Sequence, residues 1–394
     1  MPLRVSNEQR QLRLSIRHRL SRDCASDDPE TIAKDLVAVH SSDPATVYLS
    51  IAARLVAPTV ESIAKAINAD RSLVHHHAMR RTIWVMTNQV ARWAHASATA
   101  KIAKKSRQQI IKAFSECPEI GNGEKWLDQA TRKIAKLLSK NGTMSAREIG
   151  QQLPELVVPV RFGTEKHFAS VNAHTKVLQL GGFESTFVRG DATGGWVSGE
   201  FIWSVTDDWL EQPIEGLDEM ESAAELLKLW LKGFGPATLD DIRWYFGWTA
   251  KLAKSALDTI QAQQVELDDQ SIGWILENDL AKLDKVDPWV QLLPGLDAST
   301  MGWKNRDWYI DPDVVPMLFD RFGNAGPVIW ADGKVIGSWI QKPDGSIAYQ
   351  LTEKIGRKHQ KLLNDAIDRT VAFCGDVIVR PRFPAKIQKE LLKS

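Results

Sequence analysis

The chain has 394 residues, 43% hydrophobic and 25% charged, with a formal net charge of +1. That length exceeds one ordinary core, the mixture excludes a disordered or fibrous chain, and no apolar stretch is long enough to span a bilayer. Three cysteines far apart in the sequence (Cys24, Cys117 and Cys374) suit reduced thiols. The opening segment scatters arginines through its apolar residues and is expected not to be a secretory signal. These features make a cytoplasmic protein the expectation.

Charge is unevenly spread. Residues 1–22 hold Arg4, Arg10, Arg13, Arg17, Arg19 and Arg22 against Glu8, and Lys101, Lys104, Lys105, Arg107 and Lys112 form a second basic run. The segment DDWLEQPIEGLDEMESAAE at 207–225 is acidic. Such segregation permits a basic face toward a polyanion, although each run also reads as a solvated helix face.

In chain order, PETIAKDLVAVH opens on Asp28 as N-cap with Pro29 in the first turn, and reads as a helix ending at His40. His40-Ser41-Ser42 interrupts an apolar neighbourhood, and Asp43-Pro44 opens the next helix in the same way. Two readings of this corner stand side by side. In one, His40 ends a helix and Asp43 caps the next. In the other, His40 and Ser42 project into one cleft, where an imidazole of pKa about 6.5 takes a proton from water or holds the water by hydrogen bonding.

A helix-entry pattern then recurs. Thr59-Val60-Glu61-Ser62-Ile63, Ser145-Ala146-Arg147-Glu148-Ile149 and Thr238-Leu239-Asp240-Asp241-Ile242 each place a hydroxyl as cap, a polar residue three on, and an inward Ile. The second and third copies fit a capping box, and Gly142 and Gly235 precede them. Each copy leads into a further helical run: SLVHHHAMRR, HFASVNAHTKVLQLG and TAKLAKSALDTIQAQ. A strand pair follows: TIWVMT after the first, FESTFVRG and WVSGEFIWSV after the second, VELDD and SIGWIL after the third. Helix, turn, helix and a two-stranded ribbon is the winged-helix plan, here in three copies at roughly ninety-residue spacing. From Asp287 the chain turns to short strand-like runs, WVQLLPGLD, DWYID, PVIWAD, KVIGSWIQ and IAYQLT. Asp332-Gly333 marks a hairpin, Pro343–Gly345 a second turn, and a helix over Lys354–Phe373 with a basic tail closes a small β domain.

No phosphate loop, dinucleotide fingerprint, CxxC pair, HExxH or calcium loop occurs, so neither a metal nor a nucleotide cofactor is expected. His75-His76-His77 is read on the third helix of the first unit, facing a DNA backbone or the preceding helix. Adjacent helical residues diverge by about 100° and do not converge on one ion. The tryptophans, among them Trp84, Trp196, Trp203, Trp244, Trp248, Trp274, Trp303 and Trp308, are read as mostly core.

Five stretches, LVAVHSSDPATVYLSIAARL, LVHHHAMRRTIWVMT, GFGPATLDDIRWYFGW, QLLPGLDASTMGWKNRDWYI and GPVIWADGKVIGSWIQ, occur in an order that resembles the tandem winged-helix DNA glycosylases of the AlkZ/YcaQ type. The resemblance covers nearly the whole chain. It implies an α+β chain of three winged helices and a β-barrel-like domain, arranged in a C around duplex DNA. The expected domains are 1–95 with the N-terminal basic helix, 96–215, 216–286 and 287–394. It also implies metal-independent excision of bulky alkylated purines and unhooking of interstrand crosslinks. The family's catalytic Gln, spacer, Gln or Asp falls on His40-Ser41-Ser42, so His40 takes the first position and Ser42 the second. Ser42 brings neither carboxylate nor amide, and Asp43, a possible accessory, stands one residue late.

The expected partner is double-stranded, damaged DNA, bound by a monomer without membrane attachment and associated with the nucleoid when bound. Arg80, Arg81, Arg161, Lys304 and Arg306 are the candidate phosphate contacts. The alternative is a non-catalytic DNA-binding protein, a damage sensor or transcriptional regulator.

Overall fold

The computed structural model describes residues 3–163 and 168–393. A short strand β1 (Arg4–Val5) and helix α1 (Asn7–Arg17) come first. One order of elements, helix–strand–helix–helix–strand–strand, then occurs three times. The first unit is α2 (Pro29–Asp35), β2 (Val39–His40), α3 (Pro44–Ala52), α4 (Val60–Asn68), β3 (Leu73–His77) and β4 (Ile83–Thr87). Helices α5 (Asn88–Ala94) and α6 (Ala100–Ser115) lead to the second: α7 (Gly123–Asn141), β5 (Met144–Ser145), α8 (Ala146–Gln152), an inserted hairpin β6 (Pro159–Gly163) and β7 (Phe168–Asn172), α9 (Ala173–Phe183), β8 (Phe187–Ala192) and β9 (Phe201–Val205). A short α10 (Thr206–Trp209) precedes the third: α11 (Glu219–Phe234), β10 (Ala237–Thr238), α12 (Leu239–Phe246), α13 (Ala250–Thr259), β11 (Gln263–Leu267) and β12 (Ile272–Ile275).

In every unit the short first strand pairs antiparallel with the last: β2 with β4, β5 with β9, β10 with β12. His75 of β3 also faces Arg189 of β8, so the first two units share one six-stranded sheet. The N-terminal strand β1 lies parallel to β11, which attaches the chain's beginning to the third unit rather than the first. The chain ends with β13 (Val290–Leu293), α14 (Val315–Leu318), β14 (Val328–Ala331), β15 (Lys334–Gln341), β16 (Ile347–Leu351), α15 (Arg357–Cys374) and α16 (Lys386–Leu391). Its four strands form an antiparallel meander in sequence order. The β14–β15 turn carries Asp332 at φ 47° and Gly333 at φ 87°, the paired left-handed residues that a two-residue hairpin requires.

The expected caps are present: Asp28, Asp43 and Thr59 start α2, α3 and α4, and Ser145 and Thr238 close capping boxes with Glu148 and Asp241. Elsewhere the structure differs from the sequence reading. The helix from Pro29 stops at Asp35, Val37 turns left-handed at φ 63°, and Val39–His40 is a strand. Leu36 to Val39 are wholly buried, and a short continuous apolar run fits a buried strand as well as a helix. His75–His77 likewise lie on strand β3, where packing inside the shared sheet overrides the helical reading. Of the run from His167, which itself lies outside the described residues, Phe168–Asn172 is strand and only Ala173 onward is helix. DWYID forms no strand; Trp308 and Tyr309 are buried in a turn.

The register of the repeat also changes. Ser145 and Thr238 cap the first helix after each unit's short strand, whereas Thr59 caps the second. The counterpart of those two corners in the first unit is His40-Ser41-Ser42-Asp43. In the later units the last strand residue is itself the cap; here Ser41, Ser42 and Asp43 intervene. That lengthening hid the equivalence.

One core runs from Leu14 to Leu391 and joins the first unit, the third unit and the C-terminal sheet, while the second unit and α6 enclose their own. Within the larger core sits a fully buried ion pair. Arg54 Nη2 and Nη1 donate to Asp297 Oδ1 and Oδ2 at 2.8 and 2.9 Å, Ser50 Oγ donates to Oδ2 at 2.6 Å, and Arg54 Nε donates to the His18 carbonyl at 2.8 Å. Burial opposes ionisation of Asp297, but the Arg54 charge and these hydrogen bonds outweigh it and hold the carboxyl below its usual range. Breaking such a pair leaves a buried charge uncompensated. Asp297→Asn is expected to lower unfolding stability by about 3–5 kcal/mol, and Arg54→Met with Asp297→Leu to recover most of it. Urea unfolding of the three proteins checks this; a double variant no better than the single one would refute the account.

Candidate functional site

The corner between β2 and α3 is held from all directions. Ser41 N–H donates to the Ile83 carbonyl at 2.9 Å and continues the β2–β4 ladder. The His40 ring lies 4.5 Å from the Trp84 ring, and its Nδ1 accepts the Ser42 N–H at 3.3 Å. Accepting at Nδ1 puts the proton of the neutral imidazole on Nε2 as a donor. Burial, with the nearby Arg80 charge, pushes the His40 pKa down to about 3, so the ring is neutral at ordinary pH and a weak base. Ser42 is partly exposed; Ser41 is buried, and its Oγ has no partner.

Asp43 is committed to structure. Its Oδ1 accepts the Ala45 N–H at 3.3 Å as the helix cap, and its Oδ2 accepts the Arg382 N–H at 2.8 Å. Burial pushes its pKa up despite those bonds. With each oxygen occupied, it does not stand in for the carboxylate that Ser42 lacks.

Two arginine pairs each bring one member to this corner, Arg80 and Arg382. Arg80, left-handed at φ 55°, lies 4.1 Å over Trp244, and Arg306 approaches the same ring at 5.3 Å. Arg189 stacks over Phe201 and Trp203 at 5.3 and 4.7 Å. Arg382 donates Nη1 to the Ser42 carbonyl at 3.3 Å. Burial lowers Arg80 and Arg189 to about 10 each, and the positive neighbours Arg306 and Arg382 act in the same direction. Among the described residues no carboxylate forms an ion pair with any of the four.

Thus the fold gathers His40, Ser42, Asp43, Arg80 and Arg306. Arg81 is exposed on the same β3–β4 turn. Lys304 is spent on Asp240 at 3.1 Å. Arg161 lies away from the corner on the β6–β7 hairpin, 3.7 Å over Phe168. Sequence reasoning did not single out Arg189, which β8 brings in, or Arg382, which stands beside Arg380 in the basic C-terminal tail. It also took the N-terminal arginines for a possible polyanion face, whereas Arg13 and Arg17 pair with Asp279, Arg19 with Asp35, and Arg10 lies 4.1 Å over Trp308. The three histidines of β3 turn to separate neighbours, His75 to Phe201, His76 to His95 and His77 to Phe183. No group of three or more metal-ligating side chains is arranged to hold an ion among the described residues.

Thrice-repeated units before a C-terminal sheet, with arginines close to a corner of the first, define an α+β protein. The chain belongs to the AlkZ-like DNA glycosylase family, whose model matches residues 33–373. It is similar in fold to the Streptomyces sahachiroi DNA glycosylase AlkZ, with a TM-score of 0.71 at 16% identity over 96% of this chain and 99% of that one. No curated protein matches it.

The buried histidines make the fold sensitive to acid. Burial lowers His18 and His40 from 6.5 to about 3 and His95 to about 4, and places His76 and His77 well below 6.5. The unfolded chain therefore takes protons near 6.5 that the folded chain refuses until the lower values. Their contribution is whole above that pH and is lost as pH falls through the window, at about 1.4 kcal/mol per pH unit for each histidine. Urea midpoints are expected to drop steeply below about pH 6; a midpoint constant to about pH 4.5 would contradict the burial of neutral imidazoles.

Proposed function

We propose that this chain is a DNA-repair glycosylase that hydrolyses the N-glycosidic bond of bulky alkylated purines, crosslinked ones included, in duplex DNA. The neutral His40, close to arginines that form no ion pair with a carboxylate among the described residues, carries the reading, and membership of the family supports it. Each repeated unit is read as a winged helix and the C-terminal meander as the barrel-like domain. The domain limits are proposed as 1–95, 96–215, 216–286 and 287–394, with the N-terminal strand β1 assigned to the third unit because it pairs with β11. A monomer on double-stranded DNA is the working form.

A purine alkylated at N7 carries a positive charge on its base and leaves as a neutral molecule, so the departing group needs no protonation. What remains is to orient a water whose oxygen bonds the sugar carbon as the carbon–nitrogen bond breaks, its surplus proton passing to bulk water, and to stabilise the oxocarbenium-like state. His40 suits the first task as a positioning donor through Nε2–H better than as a base, because its conjugate acid is so strong. Ser42 offers a hydroxyl beside it. The arginines would oppose a sugar cation if left uncompensated, and DNA phosphates paired to them remove that penalty while adding negative charge near the sugar. Arg80 and Arg306 are assigned to such phosphates; Arg81 and Arg161 contact DNA further out, and Lys304 contributes little while paired with Asp240.

Duplexes with N7-alkylguanine or a nitrogen-mustard crosslink are expected to yield alkali-labile abasic sites, with His40→Ala slowing the step by about 100-fold or more. The single-turnover rate should show no inflection at about pH 6.5; one there would make His40 a titrating base instead. The second reading, a DNA-binding damage sensor without catalysis, is favoured by one observation: Asp43 is tied up and Ser42 supplies neither carboxylate nor amide. It predicts no cleavage across a broad lesion panel and lesion affinity that His40→Ala leaves unchanged.

A further inference from the structure

Arg189 and Arg382 sit at a cleft that the corner's chemistry does not use. The cleft, of about 350 Å³, is lined by Arg189, Gly199, Glu200 and Phe201 with Ala146 and Thr175. The Arg189 Nε is buried without a hydrogen-bond partner, and its guanidinium lies 5.3 Å from the Phe201 ring and 4.7 Å from the Trp203 ring. Arg382 lies exposed against the backbone at Gly199, where a built Cβ would overlap the guanidinium. Glycine is thus what lets the C-terminal tail bring this cation to the cleft. Glu200 is close by, yet it pairs with neither arginine.

Two like charges gathered in a partly desolvated place repel each other, and burial penalises each further. Proteins ordinarily supply a carboxylate at such a point, as Asp279 does for Arg13 and Arg17. Here no carboxylate among the described residues forms an ion pair with either arginine. A planar guanidinium lining an open cleft, as Arg189 does, matches the bidentate geometry of a phosphodiester.

We propose that Arg189 and Arg382 form a phosphate subsite that seats one backbone phosphate of the DNA strand entering the His40 corner. It rests on the DNA reading above. Arg382 also bonds the Ser42 carbonyl and, through its N–H, the Asp43 carboxylate, so a phosphate held here is registered directly against the corner. The subsite sets which sugar stands before His40.

The test uses the full chain and a fluorescent duplex carrying a stable abasic-site analogue, with affinity followed over a salt series. Arg382→Gln should reduce the slope of log affinity against log salt by about 1, the value for one lost phosphate contact. Gly199→Ala keeps the net charge but displaces the guanidinium, and should weaken binding in the same direction. A scan of single neutral methylphosphonates should reveal one position that costs the wild type affinity and costs Arg382→Gln nothing. Arg189→Gln is expected to lose affinity at that same position, but if it fails to fold, Arg382→Gln and Gly199→Ala decide the matter.

An unchanged slope in Arg382→Gln, or an identical methylphosphonate profile in wild type and variant, overturns the subsite while leaving the DNA reading intact. Binding of inorganic phosphate alone, with duplex affinity indifferent to Arg382→Gln, overturns it in favour of a free-anion site. A wild type that does not bind duplex DNA at all removes both the function and the subsite.

Discussion

The bidentate pair of Arg54 and Asp297 is the contact on which the placement of the site depends. All nine residues of α3 are buried, so the helix has no solvated face to orient it. Its orientation comes from a polar stripe at i, i+3, i+7 and i+11. Asp43 accepts from the Arg382 N–H, Thr46 donates to the Gly295 carbonyl at 2.7 Å, and Ser50 and Arg54 close on Asp297. Every member of that stripe reaches into the C-terminal third of the chain. Hydrophobic burial is non-directional and would tolerate a rotated or slipped helix; buried hydrogen bonds and charges do not. The corner at the start of α3 is therefore fixed relative to the C-terminal tail, which is why a residue as remote as Arg382 belongs to it.

Charge follows a related logic. The densest run of arginines in the sequence is consumed inside the fold, on Asp279, Asp35 and backbone carbonyls such as those of Leu55 and Val56. The arginines that pair with no carboxylate among the described residues, Arg80 with Arg306 and Arg189 with Arg382, come from four separate stretches and are brought together two by two in three dimensions. Clustering in sequence measured local composition. Unpaired charge in a desolvated place is the property that points to an anionic ligand, and it depends on which carboxylates the fold delivers elsewhere.

What the sequence made legible was mostly local chemistry. Asp-Pro at 28–29 and 43–44 marks helix starts, Ser145 and Thr238 announce capping boxes, and Asp332-Gly333 announces a hairpin, because each signal is decided within a few residues. Buried strands were less legible. Leu36–His40 and Leu73–His77 are wholly enclosed, and without an exposed face they lose the alternation that distinguishes strand from helix. The site was legible by half. His40 and Ser42 drew notice as polar residues in an apolar setting, but the spacing of Asp43, Thr46, Ser50 and Arg54 was an available signal of a tertiary seam that went unused. No local pattern marks Arg189, and the basic tail does not distinguish Arg382 from Arg380.

The three equivalent corners show how one unit of a repeat acquires a different task. In the second and third units the helix after the short strand is closed by its own chemistry: Glu148 returns to the Ser145 N–H at 2.7 Å, and Asp241 to the Thr238 N–H at 3.0 Å. A carboxylate three residues into the helix thus occupies the mouth of each corner. In the first unit that position is Thr46, turned away to Gly295, and the chain is longer by Ser41, Ser42 and Asp43. The Ser42 N–H finds the His40 imidazole instead, and the cap Asp43 is steadied from outside by Arg382. A capping box stabilises a helix end but fills it with negative charge that would repel a phosphate backbone. Moving the anchoring to distant residues frees the corner of that charge and leaves a neutral imidazole beside cations, an arrangement that the two self-capped corners do not provide.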